Sequence, residues 1–583
     1  MATTSKGGQG LTCLGKIVIL AVIVVLLGAA AFTMRGKIFP HAGKTGLVDL
    51  TKFQKPAEPS APEGEKVEAA DTKGITTVQE YTYVPREKLP PVKGTSDYQW
   101  DPQTKVLKFP INVWIGWLPI VAANHGAKPN DQSIFAKKGF KVELSLLDNP
   151  VDARNAYAAG KTHILWGTLD MMVLFAPELM KDSRTAPRVC QQIDWSNGGD
   201  GIVVRDYIKT VADLKGKTIT YAQNSPSEYF INSLLLTNGI QPREVSSKYT
   251  GDAFQAATAF VADRNIDAMV SWAPDIYKVP DKVAGAKLLT NTQQASKLIA
   301  DVWAVRADFA RDHPDVVQGL VEGIFEGMEW LGQSQANRDQ ACQWMADFYK
   351  FGVGEIKDML NDAHSTNFAE NKQFFLNQNN PANFQRTWDS ATAVYKALGK
   401  VDGDVRFDQV MDFTYIKQLA AAGRFGSQQD TYTATFSPDQ FSKVSAEKPI
   451  VTKTIRIHFY PNSANLSEPA RDGYGAKIAG KLYDPTVDAT LEAVAKLAGQ
   501  FDRAIIAIVG HTDASMKGQV PDSAVKDLSL RRAKAVRDAL VKRYKFDPNK
   551  FNVQGKGWDQ PLDPNNNALN RRVEISVYQA ESG

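Results

Sequence analysis

AIIAIVGHTDAS at residues 504–515 and LSLRRAKAVRDAL at residues 528–540 decide the reading of the C-terminal part of the chain. The first is an apolar run that ends at Gly510 and turns polar at His511, Thr512 and Asp513, the pattern of a buried strand running into a loop. The second, continued to Tyr544, sets Leu530, Ala533, Val536, Leu540 and Tyr544 at helical spacing. A helix beginning near Leu528, with Ser529 as its N-cap, is predicted. Arg531 and Arg532 then fall in the first turn, where the helix dipole disfavours a cation by about 0.3–1 kcal/mol. An arginine held there, beside free backbone N–H groups, makes a carboxylate site. Asp513 supplies the opposite charge, so the pocket suits a zwitterion.

The flanking segments extend this pattern. TIRIHFYPNSANLS (454–467) reads as an opening strand and loop, GKGWDQPL (555–562) as a closing loop, and NRRVEISVY (570–578) as a final strand. In this order they resemble the OmpA-like peptidoglycan-binding family. The resemblance implies an α/β sandwich that binds diaminopimelate in the peptidoglycan stem peptide. It puts Asp513 and Arg532 at the two key positions, with Thr512 beside them. It gives Arg572, in the closing motif, a binding or a structural role. Val525 stands where the family usually has asparagine.

Upstream, strands alternate with helices: PINVWIGW (110–117), GFKVELSLL (139–147), HILWG (163–167), GDGIVV (199–204), KTITYA (217–222) and IDAMVSW (266–272). The alternation predicts an α/β fold with mostly parallel sheets. Residues 312–419 read as mostly helical. INVWIGWLP (111–119), AKKGFKVEL (136–144), ARNAYAAGKTHI (153–164), DWSNGGDGIVV (194–204), TVADLKGKTITYAQNSPSEYFINSLLLTNG (210–239) and FVADRNIDAMVSWAPD (260–275) resemble periplasmic substrate-binding proteins of the nitrate/sulfonate/taurine class of ABC importers. The resemblance implies two α/β lobes of the type II kind, joined by hinge strands and closing on a small solute. Ligand candidates at strand ends are Trp117, Thr168, Asn224, Ser225, Trp272 and Asp275, with Trp195, Ser196, Asn197 and Asp200 in the loop before GIVV. Ser225-Pro226-Ser227-Glu228 reads as a capping box with proline at the first helical position. Ser227 joins the candidates, because such a helix start holds a sulfonate, phosphate or carboxylate.

IVILAVIVVLLGAAAFT (17–33) carries no charge and is nearly long enough to span a bilayer. An uncleaved anchor is the first reading, and a signal peptide cut after Ala29 and Ala31 the alternative. The expected domains are a cytoplasmic tail (1–16), an anchor (17–34), a linker (35–107), a solute-binding domain (108–420), a second linker (421–449) and the OmpA-like domain (450–583).

The 583 residues carry a net charge of +4 and lack a basic stripe, which excludes nucleic acid as a partner. Three cysteines and seven histidines show no metal spacing; Cys190 and Cys342 either pair or stand as separate buried thiols. No catalytic motif occurs, so no enzyme activity, cofactor or metal is expected. The whole reads as a single-pass inner-membrane protein with its bulk in the periplasm of a Gram-negative-type envelope. It captures a small anionic or zwitterionic solute for transport or sensing, beside a permease. The alternative is a structural tether to a motor-type complex, with a degenerate cleft.

Overall fold

The computed structural model describes residues 72–87, 89–434, 436, 451–455 and 457–578. The apolar run Ile17–Thr33 with its cleavage alternative, Cys13, most of the first linker and residues 437–450 lie outside them. Among the described residues no helix is long and apolar enough to cross a membrane.

The central strands are β1 (Tyr83–Val84), β2 (Val106–Ile111), β3 (Lys141–Leu146), β4 (Ile164–Thr168), β5 (Pro187–Ser196) and β6 (Asp200–Arg205). They continue as β7 (Thr218–Ala222), β8 (Ser246–Thr250), β9 (Ala268–Trp272), β10 (Ala286–Asn291), β11 (Ala300–Arg306) and β12 (Ala363–Ser365). Two lobes result. One holds the sheet β12-β5-β11-β4 with the pair β2-β3; the other holds β1-β8-β7-β9-β6-β10. Only β2-β3, β7-β8 and β7-β9 are parallel here, fewer than the alternation predicts. After the arm strand β1, which lies in the second lobe's sheet, the chain enters the first lobe at β2 and then crosses between lobes from β5 to β6 and from β10 to β11. These crossing strands run against their neighbours. The crossovers are tied together, since Gly198 N donates to Thr292 Oγ1 at 2.9 Å.

Buried aromatic and β-branched side chains, among them Phe109, Trp166, Trp303 and Val305, fill the core between these layers. Six helices between Pro314 and Ala421 match the helical reading of that stretch. Cys190 and Cys342 are separate buried thiols.

The described parts of both expected linkers are docked. Thr77 N donates to the Asp275 carboxylate at 2.9 and 3.0 Å, and β1 pairs with β8. Farther along, Tyr432 stacks on His364 with ring centroids 3.8 Å apart.

The C-terminal strands are β13 (Val451–Ile455), β14 (Pro469–Arg471), β15 (Lys477–Leu482), β16 (Ile505–Gly510), β17 (Phe551–Gly555) and β18 (Val573–Tyr578). A sheet β13-β18-β16-β17 packs against the helix Asp522–Tyr544, which in turn contacts the helix Val487–Gln500. The helix Asp522–Tyr544 runs for 23 residues, with Pro521 at its N-cap. It does not begin near Leu528, so Ser529 is no cap. Ser529 is buried, donates to Lys526 O and accepts from Gly557 N. The domain packs on the central region. Arg386 grips Glu492 at 2.6 Å, Lys297 pairs with Asp502 at 2.9 Å, and Lys297 N donates to Gln500 O at 3.1 Å.

Candidate binding sites of the two domains

In the C-terminal domain, β16 ends at Gly510, and the next residues are fixed by backbone bonds. His511 N donates to Arg572 O, and Thr512 N to Gly557 O. Asp513 is thereby carried to a cleft of about 500 Å³, lined also by Thr512, Val525, Leu528, Arg532 and Arg571. Arg571 Nη1 donates to Asp513 Oδ2 at 2.8 Å, and Ser515 N donates to Oδ1 at 2.9 Å. Burial opposes ionisation of Asp513, but the Ser515 bonds and Arg571 outweigh it and hold the carboxyl below its usual range.

Arg532 is almost fully buried, and its guanidinium donates to Ser463 O at 3.0 Å and Tyr460 O at 3.4 Å. Burial, then repulsion from Arg571, lowers it to about 10. Among the described residues no carboxylate forms an ion pair with it, although Asp513 acts on it through the cleft. Since Arg532 lies well inside the helix, the side chain itself, and not a free helix start, provides the positive charge. Thr512, Asp513 and Arg532 thus come together. Arg572 does not join them: it pairs with Glu574 at 2.6 Å and donates to Gln560 O. Its neighbour Arg571 lines the cleft instead. The NRR pair of arginines carried that signal without saying which one faces inward.

In the central region, β4, β11 and β5 lie side by side. Their register sets Thr168 opposite Asp301, and Asp301 opposite Asp194. Trp114 Nε1 donates to Asp194 at 3.2 and 3.3 Å. Asp200 starts β6 in the other lobe, where its Oδ2 accepts from Ser196 Oγ at 2.6 Å and its Oδ1 has no partner. Burial pushes Asp200 up to about 7 and Asp194 up to about 8. Asp301, buried and facing Asp194 and Asp200, lies well above the ordinary carboxyl range. Trp114, Trp166, Thr168, Asp200, Trp272 and Asp301 line a small cavity of about 10 Å³. That is space for about one water-sized group.

Thr168, Asp200 and Trp272 are therefore on the cavity, with Ser196 bracing Asp200. The other candidates lie elsewhere. Trp117 is core, donating to Asn112 Oδ1 at 2.8 Å, and Trp195 packs edge-on against Phe374. Asn197 bonds to Asn361 O and the Tyr432 hydroxyl. Asp275 fastens the N-terminal arm through Thr77. Asn224 accepts from Lys400 at 2.9 Å. The predicted capping box does not form. Ser225 Oγ donates to Ala222 O, and Glu228 accepts from Asn224 N at 2.9 Å and from Lys400 at 2.7 Å. Ser227 is buried with a hydroxyl that has no partner. The Glu228 carboxylate thus ties the turn before this helix to Lys400. Trp114, Asp194 and Asp301 were missed; the signal was a lone acid within an apolar run, as in LIADVWAVR (298–306).

Comparison with known proteins agrees with this division. Residues 479–574 match the OmpA family model, and residues 130–337 match the NMT1/THI5 like model. The chain thus carries an NMT1/THI5-like domain and a C-terminal OmpA-family domain. Outer membrane protein Omp38 of Acinetobacter baumannii is 32% identical over 127 residues, which is 21% of this chain and 30% of that protein. The taurine-binding periplasmic protein of Escherichia coli is 29% identical over 217 residues, 35% of this chain and 64% of that protein. The chain therefore spans under two thirds of each of these relatives. Among solved structures, the periplasmic aliphatic sulphonate binding protein SsuA from Escherichia coli aligns with 18% identity and a TM-score of 0.41, covering 52% of this chain and 91% of that one.

Proposed function

We propose that the chain is an envelope protein in which a periplasmic solute receptor (108–420) is held between an inner-membrane anchor (17–34) and a peptidoglycan-binding domain (450–583). The observation that carries it is Arg532: a buried guanidinium without an ion pair, facing a cleft with Asp513 across it. Thr512 and Arg571 complete a site of both signs, which suits the amine and carboxylate on one carbon of diaminopimelate. The likeness to a taurine-binding protein supports capture of a small solute for transport through a permease or for sensing. Tethering at both ends replaces free diffusion by a high local concentration.

The test is retention of the full chain on isolated peptidoglycan. Asp513→Asn and Arg571→Ala each weaken retention by about tenfold or more, because each breaks a charge-assisted pair. Unchanged retention in both variants would remove the cleft from the proposal.

A second reading is a structural or motor-associated tether with a degenerate receptor, and the small inter-lobe cavity favours it. The uncharged span argues against an ion-conducting role. Wall binding that persists while no solute alters the melting curve would select this reading.

A further inference from the structure

We propose that the inter-lobe cavity receives a small organic ammonium group, held between Asp200 of one lobe and Asp301 of the other. The proposal rests on the solute-binding reading of the central domain and names the chemistry of its ligand.

Four observations converge on a cation. No basic side chain lines the cavity, whereas two carboxyls do. Asp200 Oδ1 has no hydrogen-bond partner, although the residue is only 3% exposed. Buried acceptors left in this way are costly unless a donor arrives. Asp194 and Asp301 sit opposite one another in register, so a second acid stands directly behind the cavity wall. Finally, the Glu228 carboxylate lies beside the helix start at Pro226, where it accepts from Asn224 N, and so disfavours an anion there.

The type of cation follows from the walls. Among the described residues no group of acids, histidines or cysteines has the convergence that a metal needs. An ammonium brings three N–H donors for Asp200, Asp301 and Thr168. Trp114, Trp166 and Trp272 have their N–H groups engaged, by Asp194, Leu147 O and Val113 O respectively. What remains for the ligand is the ring, whose face attracts a cation. Space for about one water fits an ammonium head and not a tetrahedral sulfonate.

The experiment is thermal shift and calorimetry on the full chain in detergent with methylammonium, ethylammonium, taurine, isethionate and nitrate. Isethionate has the skeleton of taurine with a hydroxyl in place of the amine. The amines raise the melting temperature; isethionate and nitrate do not. Asp301→Asn lowers methylammonium affinity by at least about tenfold, while its ligand-free melting temperature stays equal or rises, which shows that it folds. A response to isethionate or nitrate without one to the amines overturns the ammonium site and leaves the receptor reading standing. A flat response to every compound overturns both. Undiminished amine affinity in Asp301→Asn moves the ligand elsewhere and overturns the site.

Discussion

Asp194 and Asp301 oppose folding at alkaline pH. Each holds its proton in the folded chain far above the pH at which it would lose it unfolded, and burial is the main cause. The folded state therefore binds more protons than the unfolded one across the intervening range, and stability falls as pH rises. Asp200 and Asp362, both pushed up to about 7 by burial, add to the same slope. His163 is lowered to about 4 by burial, so it stays neutral in both states above pH 7 and does not counter the trend. We predict that the ligand-free melting temperature drops between pH 7 and pH 8.5 by on the order of 5 °C, measured by differential scanning calorimetry. A flat profile over that range would contradict the protonated pair. Asp301→Asn flattens the profile, because an amide carries no titrating proton. The sequence marked Thr168 and Trp272 through their places at strand ends and Asp200 through the loop before GIVV. It did not mark Asp194 and Asp301, because a carboxyl in the middle of a strand reveals nothing until the register sets a second one opposite it.

At the scale of elements, the wall-site geometry depends on how closely one helix approaches two strands. A Cβ on Gly510 would lie 2.0 Å from Ser529 O, and one on Gly555 would lie 2.4 Å from Lys526 O. Only hydrogen at these positions lets the helix Asp522–Tyr544 rest on β16 and β17 and aim Arg532 at Asp513. Gly555→Ala forces them apart at a cost of about 1–3 kcal/mol or more. We expect a lower melting temperature for the C-terminal domain and loss of peptidoglycan retention together. Loss of neither would mean that the contact is soft. Both glycines stand in motifs that were legible: the G of GHTD and the first G of GKGW. The helix itself was legible through Ala533, Val536 and Leu540, but its start was not. Asp522 and Ser523 look like loop residues until Pro521 is recognised as the entry, and the dipole argument for Arg532 falls with the shift of the start. The lobes show a similar limit. Local alternation identifies strands and helices, but the direction of β5 and β11 follows from a crossover between lobes that no local pattern records.

At the scale of the whole molecule, three ion pairs among the described residues join the domains: Arg386–Glu492, Lys297–Asp502 and Lys496–Asp389. Arg386 holds both oxygens of Glu492, at 2.6 and 3.2 Å, and Tyr544 adds a hydroxyl to the same carboxylate. Glu492→Arg sets two guanidiniums against each other. We predict a more extended particle by small-angle scattering, with compactness restored by adding Arg386→Glu. Failure of the swap to restore it would mean that apolar contacts set the docking. The second pair has a further meaning because of where Lys297 lies. It belongs to residues 292–299, the crossover from β10 to β11, and its own N–H is bonded to Gln500 O. The other crossover is held too, by the Tyr432 hydroxyl on Asn197, and the same hydroxyl donates to Ser296 O. The joint is thus splinted from outside by the parts of the chain that follow it. A load on the C-terminal domain is therefore carried to this crossover through Lys297 as well as to the helix Phe384–Ala397 through Arg386.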